Sequence, residues 1–454
     1  MNKLILFILW QIPFTCFPQT GPSYAVEGGT WNYIGQNTFP AGKAAYTSIA
    51  FSKSGQPYLA FSDSLAGWKA TVMKFDGTNW VQVGQKGFTT AGAGYLNIRL
   101  DPADQPCVTY IDYGHANGMS AMKFNGTDWV YLGSPGFSAA DADYPSMAFS
   151  PAGELYVSYT DYGNDGAVTT MKFDGNSWSP IGSPGFSLGL AEFVSLAFSP
   201  SGQPFVAFSD SVSSWKATVM TWDGTDWVEV GTPGFSAGKA DYTSLAVNST
   251  GQPFVVFEDY ANLGRASVMY FNGSQWSYAG SPGFSADTIN NCSIVFSNGG
   301  LATVGYEDYG HEGAATVRLF DGNSWTVVGT EGFSTPWAED LQMGVTPSGK
   351  IYVTWDDAGV HVMNYSWNLG TGSVSESEFM VFPNPFHSRV IINRGSLPPG
   401  SCQVLLCDST GRSLKSMNTS EQEFTLDCSD LAAGIYILEL KVSESGAKKL
   451  LIKR

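Results

Sequence analysis

The chain has 454 residues, a length that favours two or more domains over a single hydrophobic core. Aromatic residues make up 14% of the sequence and charged residues another 14%, with 52 glycines and 23 prolines, a composition typical of turn-rich all-β proteins that excludes a disordered chain. The formal net charge is −17, and the negative charge lies in residues 26–378. A segment this acidic repels phosphate backbones, which argues against nucleic acid as a partner.

Residues 1–25 have the features of a signal peptide. Lys3 precedes the apolar run from Leu4 to Trp10, and Ser23-Tyr24-Ala25 offers small residues for cleavage. The apolar run ends well short of the roughly 20 residues that a membrane-spanning helix needs. No later segment is apolar enough to span a membrane, so we expect an exported mature chain without a transmembrane segment.

A 49-residue repeat runs through the next part of the chain. Its period of roughly 40–50 residues is typical of β-propeller blades. The first full unit has four strand patterns, at 46–52, 57–63, 69–75 and 80–84, with a tight Asp-Gly turn before the last that recurs as Asp-Gly or Asn-Gly in five further units. Large aromatics at fixed register are expected to pack between blades. They are the Phe of a recurring Gly-Phe-Ser and seven tryptophans: Trp31, Trp80, Trp129, Trp178, Trp227, Trp276 and Trp325.

The two ends of the repeat complete each other. The last unit has candidate strands at 341–346, 351–357 and 360–366 but no fourth strand, whereas residues 31–35 form a fourth strand without a blade. Pairing them closes a seven-bladed β-propeller over residues 26–369 and leaves no long open edge. The Asp-Gly-x-x-Trp stretch resembles the Asp-box turn of sialidase-type propellers. It lacks the residue between Asp and Gly, so we infer a shared hairpin and no sialidase chemistry.

A polar linker at 370–378 ends the repeat, and residues 379–454 follow a different pattern. Its motifs are Val381-Phe382-Pro383-Asn384-Pro385-Phe386, then Gly411-Arg412, then Leu431-Ala432-Ala433-Gly434-Ile435-Tyr436, and a basic end from Lys448 to Arg454. The pattern resembles the type A C-terminal sorting domain of the type IX secretion system. The resemblance implies a small Ig-like β-sandwich, the type IX secretion machinery as partner and a Bacteroidota source. It also implies secretion across the outer membrane to the cell surface or the extracellular space.

One face of the predicted disc is the default binding surface. Successive antiparallel strands reverse direction, so the loops between second and third strands share a face with the connections between blades. On that face an aspartate closes each second strand: Asp63, Asp112, Asp161, Asp210, Asp259, Asp308 and Asp357. The loops that follow carry aromatic residues: Trp68, Tyr113, Tyr162, Trp215, Tyr260 and Tyr309.

Two interpretations of these residues remain open. Each aspartate could cap its own loop by accepting backbone N–H bonds, or the seven could form a ring of carboxylates that binds sugar hydroxyls or calcium. The loop aromatics suit stacking on sugar rings, a protein–protein hot spot, or structural packing. The chain has no calcium loop of the usual spacing, and we predict neither a metal nor a cofactor.

The function that we expect is a non-catalytic carbohydrate-binding module, surface-attached or secreted. A protein-binding adhesin using the same face is the alternative. A polysaccharide-cleaving enzyme, lyase or glycosidase, is a second alternative, for which Asp112 with His115, and Asp308 with His311 and Glu312, could support proton transfer. The two histidines lie four blades apart, too far to act together. We therefore assign no catalytic residue.

Overall fold

The computed structural model describes residues 29–35, 42–138, 140–297, 300–357, 359–367, 379–382, 386–395, 400–408, 413–431, 434–442 and 445–453. The predicted signal peptide and linker lie outside the described residues, as do residues 383–385, 411–412 and 432–433 of the tail motifs. The described chain is built almost entirely of strands in nine antiparallel sheets. None of its helices is long and apolar enough to cross a membrane.

Seven four-stranded sheets form the blades, and in blades one to six the strands follow chain order. Blade one contains Ala44–Phe51, Pro57–Asp63, Lys69–Phe75 and Trp80–Gln82. Blade two contains Ala93–Leu100, Pro106–Asp112, Gly118–Phe124 and Trp129–Tyr131, and blade three contains Ala142–Phe149, Leu155–Asp161, Ala167–Phe173 and Trp178–Pro180. Blade four contains Ala191–Phe198, Pro204–Asp210, Lys216–Trp222 and Trp227–Glu229.

The remaining blades follow the same plan until the last. Blade five contains Ala240–Val247, Pro253–Asp259, Arg265–Phe271 and Trp276–Tyr278, and blade six contains Ile289–Phe296, Ala302–Asp308, Ala314–Phe320 and Trp325–Val327. Blade seven contains Glu339–Val345, Ile351–Asp356 and Val360–Trp367, and its fourth strand is the N-terminal Gly29–Tyr33. Short 3-10 turns follow four of the second strands, at Ser64–Ala66, Tyr162–Asn164, Tyr260–Asn262 and Tyr309–His311.

The sheets close into the predicted ring. First strands of successive blades contact one another, and the first strand of blade seven contacts that of blade one, so these strands surround the axis. Gly29–Tyr33 pairs antiparallel with the third strand of blade seven, placing Trp31 opposite Tyr365. The predicted seven-bladed closure by the N-terminal strand is therefore confirmed, and no blade is left with three strands.

The second strands show why these sequences form blades. In every blade the second strand is buried along its whole length, since each sheet lies between two neighbouring sheets. A strand buried on both faces reads as a continuous apolar run, as in Pro253-Phe254-Val255-Val256-Phe257, rather than as an alternating pattern.

The repeated aromatics join neighbouring blades, as predicted. Each of the seven tryptophans donates its indole N–H to a backbone carbonyl of the preceding blade at 2.7–2.9 Å. In six of the seven, the ring also stacks on a Phe, with centroids 3.8–4.4 Å apart. Five of these Phe residues lie in Gly-Phe-Ser segments, and the sixth lies in Gly87-Phe88-Thr89. Trp31 makes both contacts, to Val328 and Phe333, so the closing strand is fixed by the same device as the others.

The tail forms a small β-sandwich of its own, as predicted. One sheet contains Met380–Phe382, Arg389–Asn393 and Glu423–Asp427. The other contains Cys402–Asp408, Ser413–Thr419, Gly434–Val442 and Ser445–Lys453. Side chains from both sheets, such as Ile392 and Phe424 against Leu406 and Leu438, share one buried core. The five cysteines of the described chain are all free thiols.

Candidate functional site

The predicted aspartates are caps of their own loops. Asp161 is 2% exposed, and one carboxylate oxygen accepts the Gly163 N–H at 3.0 Å. The other oxygen accepts the Asn164 amide at 2.8 Å and the Thr169 hydroxyl at 2.7 Å. Five further aspartates are buried and accept the same backbone bond two residues on: Asp63, Asp112, Asp210, Asp259 and Asp308. This geometry agrees with the capping interpretation, and ligand binding by these carboxylates stays a prediction.

Asp357 differs from the other six because its side chain is partly exposed. It accepts from His361 Nε2 at 2.8 Å and from the Gly359 N–H at 3.2 Å. The His361 ring stacks on Trp355, with centroids 5.0 Å apart. This aspartate therefore combines the backbone bond of the other six with a contact to His361, and ligand binding by it stays a prediction.

The two predicted histidine–aspartate pairs do form. His115 Nδ1 lies 2.9 Å from Asp112, and His311 Nδ1 lies 3.1 Å from Asp308. Asn164 makes the same contact in blade three, three residues after its aspartate. The histidines therefore occupy a capping position that asparagine also fills, and no three His, Cys, Asp or Glu side chains of the described chain converge as they would around a metal ion.

The predicted loop aromatics reach solvent on the binding face. Trp215 is half-buried, and the other five have between 43% and 50% of their surface exposed: Trp68, Tyr113, Tyr162, Tyr260 and Tyr309. Each lies in a different blade. Tyr113 leans inward instead: a Cβ added at Gly94, on the first strand of blade two, would clash with the Tyr113 hydroxyl oxygen.

A row of aromatic rings that the sequence interpretation missed lies along the inner edge of this face. We call it the aromatic arc. Its neighbouring centroids are 4.7, 5.8, 4.9 and 4.6 Å apart, and each ring comes from the next blade: Tyr46, Tyr95, Tyr144, Phe193 and Tyr242. Asn291 and Asp340 hold the same position in blades six and seven. All five rings are partly exposed, and because they belong to first strands they border the central axis.

A β-bulge holds each arc residue in an unusual conformation. The register of the first strand shifts at this point in all seven blades. The residue in the bulge has φ between 41° and 57°, in the left-handed region. A bulky side chain there costs about 1–3 kcal/mol, and such strain is concentrated at functional sites. The bulge therefore holds each ring out of the regular strand pairing, at a cost in backbone strain.

Carboxylates border the arc on blades three to seven. In blade five Asp241 pairs across the sheet with Glu258, and in blade seven Glu339 pairs with Asp356. Burial, with a further contribution from Asp241, raises the pKa of Glu258 to about 7. Burial and neighbouring carboxylates raise the pKa of Asp356 to about 9. At neutral pH this border is therefore a mixture of protonated and ionised acids, able to donate as well as accept hydrogen bonds.

The signal for the arc was present in the sequence. Its five aromatics recur every 49 residues, as the tryptophans do. The sequence pattern places Tyr46 in an ordinary first strand, because a single-residue bulge cannot be read from spacing. Only the bulge distinguishes a ring at the mouth of the axis from one packed between blades.

Comparison with known proteins identifies the tail. Residues 380–453 match the family described as "Secretion system C-terminal sorting domain". This confirms the predicted sorting domain of the type IX secretion system, which marks proteins for secretion across the outer membrane to the cell surface or the extracellular space. No curated protein matches the chain significantly.

Solved structures of low sequence identity resemble the chain. One is PorZ, a surface component of the type IX secretion system of Porphyromonas gingivalis, with 17% identity and a TM-score of 0.49. The match covers 89% of this chain and 59% of PorZ, so the chain spans less than two thirds of that protein. Another is the Aleuria aurantia lectin, with 18% identity, a TM-score of 0.41, and coverage of 66% of this chain and 98% of the lectin. AofleA from Arthrobotrys oligospora has 12% identity and a TM-score of 0.43, covering 69% of this chain and 95% of AofleA.

Proposed function

We propose that this protein is an exported carbohydrate-binding propeller whose binding surface is the aromatic arc. In this proposal residues 1–25 direct export, residues 26–369 bind the ligand, 370–378 link the domains and 379–454 carry the sorting signal. The observation that carries the proposal is the row of five partly exposed rings, each held by a strained bulge at the mouth of the axis.

The chemistry of the arc suits a saccharide. The C–H faces of pyranose rings stack on aromatic rings, and the adjoining carboxyls supply hydrogen bonds to sugar hydroxyls. Asp143 and Glu192 lie on the first strands of blades three and four, each one residue before an arc ring. Burial raises the pKa of both carboxyls, and their oxygens can accept hydrogen bonds from sugar hydroxyls. An arc that follows the curve of five blades offers successive stacking positions to an oligosaccharide.

Two asparagine substitutions in the full chain, one on the arc and one on an outer strand, test whether the arc binds saccharide. Asn291 occupies the arc position of blade six, so Tyr144→Asn introduces a residue that the fold already accepts in the left-handed conformation. Saccharides that bind the protein on a glycan array are then titrated by calorimetry. We expect Tyr144→Asn to weaken binding at least about tenfold, and Val130→Asn, on an outer strand, to leave it unchanged. Binding that survives Tyr144→Asn, or the absence of any saccharide ligand at millimolar concentration, would contradict the proposal.

Exposed aliphatic side chains favour a second candidate, binding to a protein. Leu65, Val212 and Leu263 follow the second strands of three blades, and Leu188 lies in a connection between blades, all on the same face. Their exposed fractions are between 59% and 85%. Such residues suit the apolar core of a protein interface. Pull-down of a single envelope or host protein that is lost in Leu188→Ser and retained in Tyr144→Asn would favour this function over saccharide binding.

A further inference from the structure

The protein's own ammonium group occupies a corner of the binding face in blade five. Lys239 Nζ lies 2.8 Å from Asp241 Oδ2 and 5.1 Å from the centre of the Tyr260 ring. A cation between a carboxylate and an aromatic face gains energy from both. The buried Glu258 carboxylate is also close, and the charge of Lys239 opposes the rise of its pKa. Blade five therefore contains an amine site that is filled by a lysine of the chain.

Blade six repeats this corner without the lysine. Thr288 is found 49 residues after Lys239, and Tyr309 repeats the tyrosine. Glu307 repeats the buried glutamate, with 2% of its surface exposed. Its carboxylate accepts a long bond of 3.4 Å from Asn291, and hydrogen bonding to Asn290 also favours its ionised form. None of the ion pairs of the described chain includes it. Blade six thus keeps the aromatic face and the buried glutamate, has Asn290 in place of Asp241, and supplies no cation.

In blade six a second aromatic ring, that of Trp337, lies beside Tyr309 and Glu307. Trp337, from the connection into blade seven, lies 6.2 Å from Tyr309 at an interplanar angle of 82°. A Cβ added at Gly313 would lie 3.0 Å from Glu307 Oε1 and 3.2 Å from the Trp337 ring, so the acid and the indole flank the same glycine. The indole is 55% exposed, and its residue has a φ of 62°. Two perpendicular rings beside a carboxylate form the kind of corner that binds ammonium groups.

We propose that the corner formed by Glu307, Tyr309 and Trp337 binds an ammonium group of the ligand, in the position that Lys239 occupies in blade five. This inference rests on the proposed function, because it assigns the amine to a saccharide. The corner adjoins the arc: Tyr309 lies near Tyr242, the last ring of the arc, and contributes to the raised pKa of its phenol. A sugar stacked on Tyr242 can therefore present an amino group to the corner. The ligand class is an oligosaccharide with free amino groups.

Tetraglucosamine and tetra-N-acetylglucosamine form a matched pair of probes, because they differ only in the charge-bearing group. Calorimetry with the full chain at pH 7 should show about a tenfold preference for tetraglucosamine. Thr288→Lys places a lysine where blade five has one and should abolish that preference by filling the corner. Thr225→Lys adds the same charge in a turn on the opposite face and should leave the preference intact. Glu307→Gln should reduce it severalfold without loss of the fold.

The outcomes separate this inference from the proposed function. If Tyr144→Asn weakens both oligosaccharides while Thr288→Lys leaves their ratio unchanged, the ammonium corner is wrong and the saccharide-binding arc stands. Nα-acetyl-lysine amide is the third probe. If it binds more tightly than tetraglucosamine, the amine belongs to a protein and the saccharide assignment is overturned. If neither oligosaccharide binds while another saccharide on the glycan array does, the ammonium corner is wrong and the saccharide-binding arc stands.

Discussion

The buried glutamates of the binding face make the stability of the propeller depend on pH in a direction that can be calculated. Glu258 and Glu307 have 6% and 2% of their surface exposed, and burial raises the pKa of each from 4.5 to about 7. A shift of this size corresponds to about 3 kcal/mol for each carboxyl between pH values well below 4.5 and well above 7. The folded state binds more protons than the unfolded state throughout this window. Stability is therefore fully present below pH 4.5 and is lost as the pH rises through 7.

The double variant Glu258→Gln, Glu307→Gln removes both titrations while keeping the shape of the side chains. Urea unfolding followed by tryptophan fluorescence reports on the propeller alone, because the chain has no tryptophan after Trp367. At about pH 4 the variant and the parent should have similar free energies of unfolding, since the parent glutamates are then largely protonated in both the folded and the unfolded state. At pH 8.5 the variant should be more stable by several kcal/mol. An equal dependence on pH in both proteins would refute the assignment of raised pKa values to these two carboxyls.

Three further predictions concern the ring, its caps and the histidines. Trp31→Ala should lower the free energy of unfolding by about 3 kcal/mol, because it removes the aromatic contact that holds the closing strand. Trp68→Ala, at an exposed ring, should lower it by less than about 1 kcal/mol in the same urea titration. Asp161→Ala should cost about 2–3 kcal/mol because it leaves buried donors unpaired, and Tyr162→Ala, next to it, should change stability little. His115→Asn should leave both stability and saccharide binding unchanged, because asparagine already fills this capping position in blade three; loss of activity toward a polysaccharide would instead indicate a catalytic histidine.

The sequence allowed the architecture to be predicted because its signals are periodic. The tryptophan spacing and the strand patterns set the number of blades, and the unpaired strand at Trp31 indicated how the ring closes. The second and third strands of blade one, Pro57–Asp63 and Lys69–Phe75, have the predicted ends. The fourth strand is shorter than predicted and ends at Gln82. Gly84 has a φ of 70°, a conformation that does not continue the hydrogen bonding between strands.

The site was predictable only in part. The aspartates were found by their repetition, but repetition could not distinguish a cap from a ligand, and the hydrogen bonds of residues such as Asp161 indicate a cap. The arc was overlooked because the direction of Tyr144 depends on a bulge. Trp337 occurs once and has no counterpart in the other blades, and its importance depends on the neighbouring Glu307 and Tyr309, which a linear sequence does not place beside it.

The central claim is that a saccharide binds along the aromatic arc, and a crystal structure of the complex tests it most directly. The oligosaccharide with the highest affinity on the glycan array would be crystallised with the protein. The account predicts electron density for sugar rings stacked on Tyr95, Tyr144 or Phe193 at the mouth of the central axis. Sugar bound at the outer loops, against Tyr162 or Trp68 with the arc vacant, would contradict it.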